Sequence, residues 1–188
     1  MLNMSKDLRI EKSEIAIEQA FLELIEEKGY ANIHLVDIAK RANVNRNTIY
    51  IRYGTKEDII TSIVTKSFQS KFEDVDINSI SKTIINKRIV DNFFTSIFET
   101  FSDDIDLYRI ILTDPNLSGY IERKLRDIRK LVSSYFEDTK KNLVIINYII
   151  QGVYGVIKNW IIYDTGSIED NVKILSNLVM SNARRLTR

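Results

Sequence analysis

Apolar residues recur at three- and four-residue spacing along most of the chain. The first such stretch runs from Ser13 to Lys28, with Ile15, Ala16, Ala20, Phe21, Leu24 and Ile25 on one helical face. Ser13 has the chemistry of an N-cap, and Gly29 stands where a helix end takes a left-handed residue. The spacing then predicts a short helix over 35–42, with Leu35, Ile38, Ala39 and Ala42 inward. "NVN" follows as a turn, in which Asn43 tolerates positive φ better than any residue but glycine. Asn45 can cap a third helix that starts at Arg46 and turns Ile49 and Tyr53 to one side; Gly54 ends it. Thr55 opens a fourth helix, with Asp58 at the position of a capping-box acid.

From Ile59 onward the predicted helices lengthen. One runs from Lys56 past Phe68, and 70–81 is expected to fray or bend. A second covers about 83–102, carrying Ile84, Ile85, Ile89, Val90, Phe93, Phe94, Ile97, Phe98 and Phe101 at helical spacing. A shorter helix within 103–114 is stopped before Pro115. Three more are expected at about 117–138, 141–163 and 168–186, with Ser167 and Asp170 starting the last. No repeat, low-complexity tract or long linker interrupts them. The expected fold is all-α, about nine helices: a three-helix head at 10–56 and a larger helical domain at 57–188.

Composition narrows the chemistry. Among 188 residues there are one proline and six glycines, too little punctuation for sheets built on tight turns. There is no cysteine, which rules out disulfides, thiolate catalysis and cysteine-based zinc sites. His34 is the only histidine, so neither a histidine-rich metal site nor a Ser-His-Asp arrangement can be assembled within one chain. No apolar run reaches a membrane span and "MLNMSKDLRIEKSE" lacks the apolar core of a signal peptide, so the expected location is cytoplasmic, with no membrane partner. No metal or other cofactor is expected.

Charge is distributed unevenly. The chain holds 27 Lys+Arg against 26 Asp+Glu. Yet Lys40, Arg41, Arg46, Arg52 and Lys56 fall within one stretch that carries no acid. A basic run is usually a solvated face. Here it lies on two short helices joined by a three-residue turn behind a longer helix, which is the layout of a helix-turn-helix. An acid-free helix suits a phosphate backbone, because a carboxylate there would repel the duplex.

At these residues the sequence resembles a TetR-family transcriptional regulator. "FLELIEEKGYANIHLVDIAKRANVNRNTIYIRYGTKEDII" keeps the family order of first helix, Gly-aromatic exit, second helix and "T-hydrophobic-Y" recognition helix, with Lys56 opening the next. "NYIIQGVYGVIKNWIIYDTG" (147–166) resembles the end of the Firmicutes-type C-terminal domain. The resemblance implies an all-helical homodimer whose heads enter adjacent major grooves of double-stranded DNA. It also implies C-terminal domains that dimerise and usually enclose a small-molecule pocket. It places base contacts at Arg46 and Asn47, phosphate and some base contacts at Thr48, Tyr50 and Arg52, a phosphate contact at Lys56, and an occasional contact at Val36; Tyr50 is counted with the base readers, Thr48 and Arg52 with the phosphate contacts. Two positions depart from the pattern: Asn43 replaces the turn glycine, and His34 stands where Ser or Thr usually caps helix two.

The residue chemistry agrees with those roles. Arg46 can fork onto guanine and Asn47 can pair with adenine, although Arg46 could equally meet a phosphate. A helix N-terminus at Thr55 and Lys56 is suited to an anion. In the larger domain Phe93, Phe94, Ile97, Phe98, Phe101 and Tyr108 could line a pocket for a small organic effector, or be ordinary core. Ile149, Gly152, Val153, Val156 and Trp160 could form a dimer interface, with Gly155 also allowing close approach, or be buried within the chain. The expected function is a ligand-responsive repressor binding a pseudo-palindromic operator. The alternative is a partner-dependent activator or helical interaction module. Catalysis is not expected: "DDID" at a helix start is an ordinary dipole arrangement, with no nucleophile or phosphate loop beside it.

Overall fold

The computed structural model describes residues 2–72 and 86–186, with side-chain surroundings for 10–69 and 86–186. Among them are nine α-helices, two short 3₁₀ turns and no strand. The chain divides into two compact units, Met1–Ser67 and Phe68–Arg188.

In the first unit α1 spans Leu2–Lys28, α2 Leu35–Arg41 and α3 Arg46–Arg52, and α4, Lys56–Phe72, begins there and continues into the second. The start of α1 corrects the expectation at Ser13. That residue lies inside the helix, and its hydroxyl donates back to the Ile10 carbonyl at 2.8 Å. The inward face is also shifted: Ile17 is fully buried with Ala20, Phe21, Leu24 and Ile25, whereas Ile15 is 54% exposed. Two residues of helix turn a side chain by about 200°, so Ile15 and Ile17 cannot share a face, and the run 17, 20, 21, 24 keeps the tighter phase.

Gly29, at φ 73°, turns the chain out of α1 into a 3₁₀ turn at Tyr30–Asn32, an element the spacing did not announce. Tyr30 and Ile33 from this turn join Ile38, Ala39, Ile49, Tyr53, Ile59, Ile60 and Ile63 in one core. Asn43 adopts φ 51°, the left-handed turn conformation expected of it. Asn45 caps α3 by accepting from the Asn47 amide at 2.8 Å.

The second unit contains α5 (Lys87–Asp103), α6 (Ile105–Thr113), α7 (Ser118–Ser133), α8 (Lys140–Tyr163) and α9 (Ile168–Ala183). Asn86 caps α5, accepting from the Arg88 amide. The remainder of the 70–81 stretch beyond Phe72, together with Ile84 and Ile85, lies outside the described residues. α9 packs on α5 and α8, and α8 also lies along α7. Val90, Phe94, Phe98, Leu107, Tyr108, Ile111, Leu117, Tyr120, Ile146, Ile150, Trp160, Ile161, Val172 and Leu175 are buried. Phe98 meets Trp160 edge to face at 4.9 Å between ring centres, and Phe101 meets Tyr108 at 4.6 Å.

α7 stops at Ser133 rather than near 138, and the turn after it is tied down by Asn142, whose buried amide donates to the Glu137 carbonyl at 2.9 Å. At the far end of α8, Asp164 takes a left-handed φ of 51°, and Ser167 and Asp170 cap α9 reciprocally as the sequence predicts.

Candidate nucleic-acid interface

α3 is short, so its register decides everything it presents. Ile49 and Tyr53 are anchored in the core, which turns Arg46, Asn47, Tyr50 and Ile51 outward along one arc of the helix. Tyr50 is 49% exposed, and the Arg46 guanidinium stands 5.8 Å from its ring centre. Asn47 projects from the first turn with its own amide used by the Asn45 cap, so its side chain is not consumed by capping. These three are the expected base readers, and the structure brings them together on one exposed arc.

The expected phosphate contacts fare differently. Thr48 is half-buried on the side of α3 turned away from that arc. Arg52 is held by Glu14 of α1 at 2.6 Å, with only 18% of its side chain exposed. Thr55 spends both its amide and its hydroxyl on the Asp58 carboxylate, at 2.7 and 2.9 Å, while the Asp58 amide donates to the Thr55 hydroxyl at 3.2 Å. The capping box at α4 is therefore complete, and a carboxylate already occupies the place an incoming anion would take. Lys56 donates to the Tyr30 carbonyl at 2.7 Å and lies over the Tyr30 ring. A shallow groove beside it is lined by Ile33, His34, Val36, Tyr50 and Lys56, which puts Val36, 47% exposed, next to the reading arc.

A set of carboxylates on α1 organises the back of the head. Glu18 accepts from the Tyr53 hydroxyl at 3.1 Å, the Ser62 hydroxyl at 2.7 Å and Lys66 at 2.7 Å, joining the end of α3 to α1 and α4. Burial, with the Glu18 charge adding to it, pushes the Tyr53 phenol up to about 12. Glu23 and Glu27 clasp Arg41, and the bond to that guanidinium holds the Glu27 carboxyl below its ordinary range. Lys28, and then the His34 amide, do the same for Asp37, which closes the start of α2 in the absence of a Ser or Thr cap.

The sequence missed two features of this site. Ile51 is 83% exposed on the reading arc. It was legible in principle, since it lies one helical turn beyond Asn47 and nearly opposite Ile49. Glu14 of α1 lies 38 positions from Arg52 in sequence, and no local spacing marks it as a partner.

In the second unit the aromatic stripe is split. Phe94, Phe98 and Tyr108 are buried core, while Phe93, Ile97 and Phe101 are half-buried. Trp160, expected at a dimer interface, is covered within the chain by Phe98, and its indole donates to the Gly166 carbonyl at 3.2 Å. A Cβ on Gly152 would sit 3.2 Å from Leu178, so this glycine serves the packing of α9 on α8. Gly155 faces open space. Ile149, Val153 and Val156 are half-buried, and the apolar residues α8 and α9 expose most are Val144, Tyr148, Tyr163 and Ile174. Among the described residues no group of acidic or histidine side chains is arranged to hold a metal, and no helix is long and apolar enough to cross a membrane.

A short helix-turn-helix head with an outward, acid-free third helix, followed by a second all-helical unit, defines the class: a helix-turn-helix protein. Residues 17–63 match the profile of the bacterial regulatory proteins of the tetR family. An uncharacterised HTH-type transcriptional regulator, YxbF of Bacillus subtilis (strain 168), is 34% identical over 62 residues, 32% of this chain. That match spans 16% of the relative's length. Over nearly the whole chain the fold is that of a TetR transcriptional regulator from Streptococcus agalactiae 2603V (TM-score 0.62, 22% identity, covering 94% of this chain and 98% of that one). It is also that of the dihydroxyacetone kinase operon activator DhaS (TM-score 0.60, 16% identity, covering 94% and 98%). Residues 17–63 thus resemble the tetR family of bacterial regulatory proteins, and nearly the whole chain has the fold of these solved structures.

Proposed function

We propose that the protein is a DNA-binding repressor that occupies a pseudo-palindromic operator as a homodimer and responds to a small organic effector. The observation that carries this reading is the exposed arc of Arg46, Asn47 and Tyr50 on an α3 whose cap and anchors are fully formed. Arg46 and Asn47 supply the forked donors and the amide that base edges in a major groove require. Tyr50, beside the groove at Val36 and Lys56, adds a hydroxyl and an apolar ring at the level of the sugar-phosphate backbone. Lys56 and Thr48 remain phosphate contacts in this reading. Arg52 and Thr55 would first have to leave Glu14 and Asp58.

The dimer is proposed to form along α8 and α9, through Val144, Tyr148 and Ile174 and across the open side of Gly155, with Ile149, Val153 and Val156 beneath them. Phe93, Ile97 and Phe101 are the residues proposed to meet an effector, since their fellows in the stripe are committed to the core. The effector would act by binding one of two dimer states more tightly than the other. Two heads about 34–36 Å apart would then match one turn of duplex.

The test is binding of the purified protein to the duplex upstream of its own gene and to a scrambled duplex at about 150 mM salt. A preference of roughly 10³ or more is expected; equal weak binding to both would reject the operator proposal. Repression is separated from activation by a reporter behind that duplex.

A further inference from the structure

Among the described residues Ile51 is the most exposed large apolar side chain, at 83%. Single exposed apolar residues are common and need no explanation in themselves. The surroundings of this one are unusual. It shares the outward arc of α3 with Arg46, Asn47 and Tyr50, inside a stretch from Ile38 to Lys56 that contains no acid. An apolar protein partner would gain little from a face this polar and cationic. The partner that fits is polyanionic overall and has a small apolar group set among hydrogen-bonding edges. In a major groove that group is the 5-methyl of thymine.

We propose that Ile51 is a specificity-determining residue that reads a thymine methyl; the proposal rests on α3 being the DNA-reading helix. Asn47 and Ile51 are four residues apart on one face, about 6 Å along the helix. Base pairs rise about 3.4 Å each, so the thymine lies about two base pairs from the base that Asn47 meets. The backbone at Ile51 is fixed by its neighbours: Ile49 is fully buried, Arg52 is bound to Glu14, and the Tyr53 hydroxyl is bound to Glu18. The Ile51 side chain is thereby held in place by contacts within the head itself.

The experiment selects binding duplexes for the full chain from a randomised library, then replaces each thymine of the enriched site by deoxyuridine. That exchange keeps the base pair and removes only the methyl. Wild-type protein is expected to bind about fourfold more weakly for each methyl lost under Ile51, the loss of about one buried methyl group. Ile51→Ala, at a solvent-facing position, should keep its helical circular dichroism and show no difference between thymine and uracil at that position. Uracil tolerated everywhere by the wild type would overturn the proposal. So would equal uracil sensitivity in Ile51→Ala, which would assign the methyl to Tyr50 or Val36. Enrichment of no sequence at all would overturn the DNA-reading proposal and this one with it.

Discussion

The two units are held together by different means. In Met1–Ser67 a small apolar core is surrounded by directional polar links, in which Glu14 and Glu18 of α1 accept hydrogen bonds from Arg52, Tyr53, Ser62 and Lys66. In Phe68–Arg188 the described helices are joined through an apolar core in which ring meets ring, Phe98 on Trp160 and Phe101 on Tyr108. Apolar contact is strong but tolerant of angle, whereas a hydrogen bond fixes direction. The head is thus built for the orientation of one seven-residue helix, and the body for stability.

The sharpest way to break that contrast is at Trp160. Trp160→Ala removes the ring that covers Phe98 and should cost about 3–5 kcal/mol in thermal or denaturant unfolding. A cost below about 1 kcal/mol would mean the ring pair is not what holds the body. Next comes Glu18→Ala, which leaves three donors without their shared acceptor and should cost about 1–3 kcal/mol. Its larger effect should be on DNA binding, because the end of α3 loses its tether. If binding is unchanged while stability falls, the carboxylate matters to the fold and not to orientation.

Asp58→Ala opens the capping box at α4 and should cost about 1 kcal/mol. The last effect is in pH. The Tyr53 phenol titrates near 12 when folded, above its ordinary value of 10.0, so the unfolded chain gives up its proton first as pH rises. Stability should fall between pH 10 and 12, and Tyr53→Phe should remove part of that fall. An identical pH profile in the variant would show that Tyr53 is not shielded.

What was legible from sequence follows the same division. Caps and turns are local, and Asn43, Asn45, Thr55–Asp58 and Ser167–Asp170 all announce themselves within four residues. The arc of Arg46, Asn47 and Tyr50 is local too, fixed by the inward pair Ile49 and Tyr53. The phase of α1 turns on Ile17, which continues the spacing of Ala20, Phe21 and Leu24, whereas Ile15 lies on the opposite side. For Trp160 the sequence leaves a dimer interface and the chain's own interior both open, because an apolar helix face looks the same whether it meets α5 or a second copy. Arg52 was counted as available for phosphate because Glu14 lies 38 residues away.

That last pairing bears on ion release. Of the five basic residues between Lys40 and Lys56, Arg41 and Arg52 are already neutralised by carboxylates of the protein itself. Each cation that meets a phosphate frees condensed counterions from the duplex and steepens the double-logarithmic dependence of binding on salt by about 0.9. In the proposed dimer, two arginines per head that stay with Glu14, Glu23 and Glu27 free none. The slope should then be about 3.6 shallower than a bare count of basic residues gives, and Glu14→Gln should steepen it by up to about 1.8 as Arg52 is released. The protein would thus hold its operator with less sensitivity to ionic strength than its basic segment suggests.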